Sequence, residues 1–306
     1  MNKAKEEFKE ILSKLERSNI PFSQLNKSTV IKNFKFNHHK LVLQPLMFGC
    51  VFLLPYFLMM NLNFSENCII DMPDAIRKIL RQPEYCEICV DVYKVDKISS
   101  ISPTEFLENY VKKVHPVVVT DGAVNWSARS IFNFKFFKEY FHKFEIKKHS
   151  DKNCQFFPYH TEFRSLREAF NVSESRALSN EKEKPWYIGW NNCNDEAGRY
   201  LRQFYERPYF LSNLTESLAL SWIFMGGPGP GAHMHVDNVH YPSWQAQLRG
   251  RKLWKLAPPP ECHYYCNNLE IIVEPGEIIV LETNRWYHQT IILPGDISIT
   301  IGSEFD

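Results

Sequence analysis

The fold is decided by residues 221–302, which begin with SWIFMGGPGPGAHMHVDNVHYPSWQAQLRGRKLWKLAPPP (221–260) and end with PGEIIVLETNRWYHQTIILPGDISITIG (275–302). Short runs rich in Ile, Val, Leu, Trp and Tyr follow one another here, with Gly, Pro or Asn between most of them. Many short strands with turn residues at this spacing are typical of closed barrels and two-sheet jelly rolls. We therefore predict a mainly β fold, for which a jelly roll fits best.

The strands predicted in this part of the chain are 217–226, 233–240, 243–250, 251–259, 270–273, 276–283, 285–292 and 296–302. Alternation in the last of them puts three isoleucines on one face and Ser298 and Thr300 on the other. This strand therefore has one apolar surface and one surface that faces a site. Upstream patterns predict strands over 89–95 and 115–122, and helices over 103–114 and 133–144.

The candidate metal ligands are His235, Asp237 and His288. Residues two apart in a strand point to the same face, so His235 and Asp237 can converge on one ion. Two histidines and one carboxylate on one face form the facial triad of non-haem iron(II) oxygenases, which leaves positions open for other ligands. A polar surface strand is the alternative for the H-x-D motif alone. Structural zinc fits less well, because such sites use cysteines or close the fourth position with a protein ligand.

These segments resemble the JmjC-domain hydroxylases, a cupin-like family, over residues 220–303. Weaker similarity extends upstream through FFPYHTEF (156–163) and WYIGW (186–190). The resemblance implies a double-stranded β-helix, the jelly roll of cupin-like proteins, with flanking helices. It also implies an Fe(II)- and 2-oxoglutarate-dependent dioxygenase in which the triad holds the iron.

The resemblance also assigns residues to the cosubstrate. A lysine shortly after a glycine, on the strand that follows H-x-D, pairs with the distal carboxylate of 2-oxoglutarate in this family, and Lys252 has that place. Thr300 has the spacing from His288 at which close relatives contact the same carboxylate. A buried dicarboxylate needs a compensating cation, which agrees with Lys252. Gln245 and Trp222 are predicted to line the cosubstrate pocket, and packing is an equal alternative for Trp222.

The chain departs from the family pattern at Ala232, where relatives commonly have Thr or Ser. We expect one cosubstrate hydrogen bond to come from another residue. His233 shares the strand parity of His235 and is a candidate to orient that ligand or, if zinc were bound, to join the triad as a fourth ligand. His240 is predicted to lie in a loop.

A membrane anchor is predicted for residues 41–62 (LVLQPLMFGCVFLLPYFLMMNL), which contain no charged residue. Their length matches the roughly 20 residues that cross a bilayer. Lysines precede this run without acidic residues among them from Lys27 onwards, and acidic residues are the first charges after it, so the N-terminus should stay in the cytosol. A cleaved signal peptide and a buried apolar helix are the alternatives.

The predicted organisation is a cytosolic amphipathic helix and linker (1–40), the transmembrane anchor (41–62), a stalk (63–88) and the catalytic domain (89–306). This makes the chain a single-pass type II membrane protein whose domain faces the lumen of the endoplasmic reticulum or Golgi. All but one of the eight cysteines lie beyond the anchor, where structural disulfides can form. Glycosylation sequons follow it at Asn63, Asn125, Asn171 and Asn213.

The charge balance, with 36 basic and 35 acidic residues, gives no footprint for binding nucleic acid. The sequence therefore predicts a membrane-anchored oxygenase that hydroxylates or demethylates an unidentified substrate, by family analogy a protein or peptide. A non-catalytic cupin-like metal-binding module is the main alternative. A zinc-stabilised scaffold whose N-terminal helix recruits a cytosolic partner is the third.

Overall fold

The residues that the computed structural model describes are 83–144, 155–177, 184–192, 195–213 and 221–306. The predicted anchor and the cytosolic segment lie outside these ranges. Within them, no helix has the length and apolar character needed to cross a membrane. Every described residue belongs to one compact unit, Arg81–Asp306.

The strands of the described residues are β1 (Asp96–Ile98), β2 (Val117–Val119), β3 (Phe156–His160), β4 (Tyr187–Asn191), β5 (Trp222–Gly226), β6 (Gly229–Pro230), β7 (Ser243–Arg249), β8 (Lys252–Ala257), β9 (Leu269–Val273), β10 (Ile278–Leu281), β11 (Tyr287–Ile292) and β12 (Ser298–Glu304). The helices are α1 (Pro103–Phe106), which continues as a π-helical turn (Leu107–Val111), α2 (Ala128–Ile131), α3 (Phe134–Lys143), α4 (Leu166–Phe170), α5 (Glu174–Ala177) and α6 (Asp195–Leu201). Short 3₁₀ turns lie at Cys86–Ile88 and Pro260–Cys262.

Two sheets form the domain. The larger has the order β1-β2-β10-β7-β12-β5-β4-β3, and the smaller has the order β6-β11-β8-β9. The strand pairs are antiparallel except β1 with β2. Burial alternates along β8 and β11, as expected where one face of a sheet lies against a core. The predicted mainly β jelly roll with flanking helices is confirmed.

The larger sheet separates an apolar core from the interior of the jelly roll. The isoleucines of β12 join the apolar cluster with Ile223 and Met225 of β5, as their alternation predicts. Thr300 points to the other side, where its hydroxyl meets the ammonium group of Lys252 from β8. Alternation along one strand thus separates a packing face from a site-facing face.

Helix α3 covers the apolar face of the larger sheet. It buries Phe134, Phe137, Tyr140 and Phe141, whose spacing places them on one side of a helix. The Asn133 side chain caps its N-terminus by accepting a hydrogen bond from the Phe136 amide at 2.9 Å. The helix predicted over 133–144 is therefore confirmed. The helix predicted over 103–114 is found as α1 with its π-helical turn.

The domain begins earlier than predicted. Disulfides join Cys86 to Cys262 and Cys89 to Cys266, so residues 83–88, assigned to the stalk, belong to the folded domain. The strand predicted over 89–95 is wrong, because these residues form turns and an extended segment before β1. Burial recurs there at every third residue (Cys89, Val92, Val95) instead of every second, which a strand cannot satisfy.

Candidate metal centre and cosubstrate clamp

The structure brings the three predicted metal ligands together. One ligand atom from each of His235, Asp237 and His288 lies within 4.8 Å of the others. The Nε2 atoms of His235 and His288 are 3.3 and 3.8 Å from Asp237 Oδ1. His233, the candidate fourth ligand, does not join this group. The donor set is therefore two imidazoles and one carboxylate, the chemistry expected of a facial triad.

The local structure around His235 differs from the predicted strand over 233–240. Residues 231–242 are largely irregular, and His235 is joined to β11 by an isolated bridge to His288. One more residue lies between Ala232 and His235 than between their β11 partners, Thr290 and His288, so the segment bulges. The strand prediction is wrong because the Asp237 amide turns away to donate to the Thr283 carbonyl at 2.9 Å.

Backbone carbonyls fix the orientation of both imidazoles. The Nδ1 atom of His235 lies 2.6 Å from the His233 carbonyl oxygen, and Nδ1 of His288 lies 3.1 Å from that of Trp286. A carbonyl oxygen only accepts hydrogen bonds, so each Nδ1 carries the proton. The Nε2 lone pairs are therefore directed towards the ion, as metal-binding histidines require.

The charge states of Asp237 and His288 suit a divalent cation. Burial raises the pKa of Asp237, but the adjacent imidazoles of His235 and His288 outweigh it, and the net pKa is lowered. Burial lowers the pKa of His288. An ionised carboxylate and a neutral imidazole are the forms that bind metal. Burial lowers the pKa of the third ligand, His235, but the Asp237 carboxylate outweighs this and the net pKa is raised.

Lys252 forms the second part of the site. It is fully buried, and its Nζ atom donates to Thr300 Oγ1 at 2.6 Å and to the Tyr187 hydroxyl at 3.0 Å. Burial lowers the pKa of Lys252 to about 7. These two partners are neutral, although a buried cation ordinarily requires an anion. A dicarboxylate such as 2-oxoglutarate fits this cationic end of the interior.

Two residues of this clamp were missed in the sequence. Tyr187 lies in the WYIGW segment, and Gln247 accepts a hydrogen bond from the Thr300 hydroxyl at 3.0 Å. Gln247 shares a face of β7 with the predicted Gln245, two positions away. Strand parity therefore indicates which face of β7 lines the site, but not which glutamine on that face contacts Thr300. Gln245 stays a prediction, as does Trp222, whose ring lies 5.5 Å from that of Phe157.

The turn before β11 holds the loop that carries Asp237. The Asn284 side chain donates to the Val239 carbonyl at 2.6 Å and accepts from the Val239 amide at 2.9 Å. Together with the bond from the Asp237 amide to Thr283, this fixes the backbone on both sides of Asn238. Asn284 therefore positions the Asp237 carboxylate without being one of the three candidate ligands.

Residues 103–267 match the cupin-like domain family. The chain is 26% identical over 266 residues to the arginine-specific demethylase JMJ20 of Arabidopsis thaliana, covering 65% of this chain and 54% of that protein. It is 25% identical over 185 residues to the 2-oxoglutarate and iron-dependent oxygenase JMJD4 of Danio rerio, covering 50% and 43%. The chain thus spans about half the length of the curated relatives it matches.

Two further similarities are found. The bifunctional arginine demethylase and lysyl-hydroxylase psr-1 of Caenorhabditis elegans is 22% identical over 169 residues, covering 53% of this chain and 40% of that protein. The ribosomal oxygenase YcfD of Escherichia coli superposes with a TM-score of 0.44 at 17% identity, covering 68% of this chain and 52% of that chain. The curated relatives confirm the resemblance to JmjC-domain oxygenases seen in the sequence.

We expect Asn284→Ala to weaken cobalt(II) binding about 10- to 100-fold, because the loop that carries Asp237 loses two hydrogen bonds while every ligand remains. Titration of the metal-free chain, followed by cobalt(II) absorption, measures the affinity. Asn268→Ala, an exposed asparagine in the turn before β9, is the matched control and should bind as the wild type does. Equal affinities in all three proteins would remove the positioning role of Asn284.

We expect 2-oxoglutarate binding to take up nearly one proton at about pH 8 and almost none at about pH 6. With a pKa of about 7, Lys252 is mostly neutral at the higher pH, and a bound carboxylate raises that pKa. Calorimetry of the manganese(II)-loaded chain, in buffers that differ in ionisation enthalpy, counts the protons. Lys252→Arg stays charged and should abolish the difference. Unchanged uptake in this variant would contradict the assignment.

Proposed function

Because this chain belongs to the cupin-like domain family, we propose that it is an iron(II)- and 2-oxoglutarate-dependent oxygenase that acts on a protein side chain. The observation that carries the proposal is the joint presence of His235, Asp237 and His288 with the buried Lys252 in one interior. A metal-binding module without turnover would have no use for a buried cation that lacks an anion among its hydrogen-bond partners.

Each part of the site has a distinct task. Iron(II) with 2-oxoglutarate supplies the oxidising chemistry, and the protein supplies binding and orientation. The triad would hold the ion by one face and leave the opposite face for cosubstrate and oxygen. Lys252, with the hydroxyls of Tyr187 and Thr300, would hold the distal carboxylate and so set the direction in which the cosubstrate lies.

The ring of Tyr159 lies beside the triad. Its ring centroid lies 5.8 Å from that of His235 and 6.0 Å from that of Tyr187. Burial, and then the charge of Asp237, raises the pKa of Tyr159 above its ordinary value. Its hydroxyl is therefore protonated at neutral pH and can donate a hydrogen bond to a group in the pocket.

The substrate class rests on the relatives. Those named as arginine demethylase and lysyl-hydroxylase act on amino-acid side chains, and we assign the same class to this chain. Hydroxylation covers both outcomes, because a hydroxylated N-methyl group is released as formaldehyde.

We expect the wild type to release succinate from 2-oxoglutarate, and His235→Ala to lower the rate by at least about 100-fold, since losing a metal ligand costs more than losing a group that supports one. An assay with iron(II), ascorbate and secretory-pathway protein extract measures this rate. His240→Ala, an exposed histidine in the same loop, is the control and should stay active. Equal release from wild type and His235→Ala would remove the site. Tightly held zinc without release would favour the non-catalytic module.

We further propose that residues 41–62 anchor the chain in a membrane as a type II protein, with the domain in the lumen of the endoplasmic reticulum or Golgi. Two disulfides support this, because disulfides persist in oxidising compartments. The sequons within the described residues are also exposed, at Asn125, Asn171 and Asn213. These features agree with the uncharged run and the lysines before it.

Protease treatment of intact microsomes should spare the domain and remove only the cytosolic segment, because the bilayer shields whatever lies in the lumen. Glycosidase should lower the apparent mass of the protected fragment, and replacing the sequon asparagines by glutamine should abolish that shift. Detergent is the control that makes the domain accessible. Digestion of the domain without detergent would place it in the cytosol and contradict the proposal.

A further inference from the structure

Four strongly exposed tyrosines lie on two segments of the domain. Tyr85, Tyr93, Tyr264 and Tyr265, here called the tyrosine surface, are 78, 73, 85 and 70% exposed. A single exposed aromatic side chain needs no explanation. Four of them on cross-linked segments are unusual, because tyrosine is enriched where proteins contact partners.

The two segments are held together rigidly. Cys86 and Cys89 of the first bond to Cys262 and Cys266 of the second, with Cα–Cα distances of 5.4 and 5.5 Å. Tyr85 directly precedes Cys86, and Tyr264 and Tyr265 lie between Cys262 and Cys266. Beneath them, Ile88 and Val92 are buried in the same apolar cluster as Cys89 and Cys262. The tyrosines are therefore presented on a fixed backbone, which lowers the entropy lost on binding.

The charges within the two tyrosine-bearing segments favour a cationic partner. Glu87 and Asp91 are exposed between Tyr85 and Tyr93, and Lys94 is the one basic residue from 83 to 95. Residues 260–270 contain no lysine or arginine. Carboxylates beside aromatic faces attract ammonium and guanidinium groups. The same charges disfavour anionic lipid headgroups, and they disfavour a second copy, which would oppose like charges across a two-fold axis.

The tyrosine surface adjoins the turn that supports the metal centre. Glu84, next to Tyr85, accepts hydrogen bonds from Nε and Nη2 of Arg285 at 2.8 and 2.5 Å. Arg285 lies in the turn whose Thr283 carbonyl accepts the Asp237 amide. One ion pair therefore separates this surface from the backbone that holds a metal ligand.

We propose that the tyrosine surface docks a segment of the protein substrate that carries lysine and arginine, outside the catalytic pocket. Ammonium and guanidinium groups lie over the tyrosine rings and pair with Glu87 and Asp91. The identification of the docked protein as the substrate rests on the proposed function. The surface and its preference for cations do not.

The test is a binding titration with the full chain in detergent, without cosubstrate. The probes are fluorescent peptides in which lysine and arginine, or glutamate, alternate with Gly-Ser spacers. We expect the cationic peptide to bind at least about tenfold more tightly than the glutamate peptide. The double variants Tyr264→Ser with Tyr265→Ser, and Glu87→Gln with Asp91→Asn, should each weaken cationic binding about fivefold. Tyr209→Ser, a half-exposed tyrosine elsewhere on the domain, should leave it unchanged.

Succinate release without protein substrate should be the same in all these variants, because none of the changed residues lies in the site. Equal cationic affinity in wild type and both double variants would overturn the proposal. The proposal would also be overturned if the double variants kept their affinity for the cationic peptide but lost binding to phosphatidylcholine–phosphatidylserine vesicles. A change of oligomeric state in sedimentation, with peptide affinity unchanged, would overturn it as well. An inactive wild type that still binds the cationic peptide through these tyrosines would overturn the oxygenase but not the docking surface.

Discussion

The backbone pair between His235 and His288 is the contact on which the candidate site depends. Each residue donates its amide to the carbonyl of the other, at 3.1 and 2.8 Å, which brings the two imidazole centroids to 4.3 Å. His288 is itself fixed because β11 pairs with β8 along its length. The segment that carries His235 has little regular structure, so this pair transfers the order of the smaller sheet to the metal ligands. The position of Asp237 is then set by the hydrogen bond from its amide to the Thr283 carbonyl.

The sequence predicts the strands of the jelly roll because their signal is local. Period-two alternation in β12 and the turn residues between strands need no knowledge of the partner strands. The signal for the metal ligands is also local, since the chemistry and spacing of His235, Asp237 and His288 predict them. The irregular path of the His235 segment was not predictable, because it results from a change of hydrogen-bond partner from β11 to Thr283. The disulfide pairing is likewise set by contacts between residues far apart in sequence.

The buried Lys252 shows a conflict between stability and binding. Lowering its pKa from 10.5 to about 7 corresponds to a cost of roughly 5 kcal/mol below pH 7, and this cost fades as the pH rises towards 10.5. Hydroxyl groups of Tyr187 and Thr300 reduce the penalty without removing it. A fold that keeps such a residue is prepared for an anion, since an apolar side chain of similar volume would be more stable. The cation therefore indicates function more strongly than the metal ligands do alone.

The early start of the domain has a physical consequence for the site. Glu84 and Cys86 fall within the predicted stalk, yet Glu84 neutralises Arg285 and Cys86 bonds to Cys262. Arg285 lies between Asn284, which clamps the loop of Asp237, and Trp286, whose carbonyl orients His288. A partly buried arginine without its carboxylate would be costly in this turn. The segment before β1 is therefore part of the support of the candidate metal centre, and two disulfides fix it to the connection between β8 and β9.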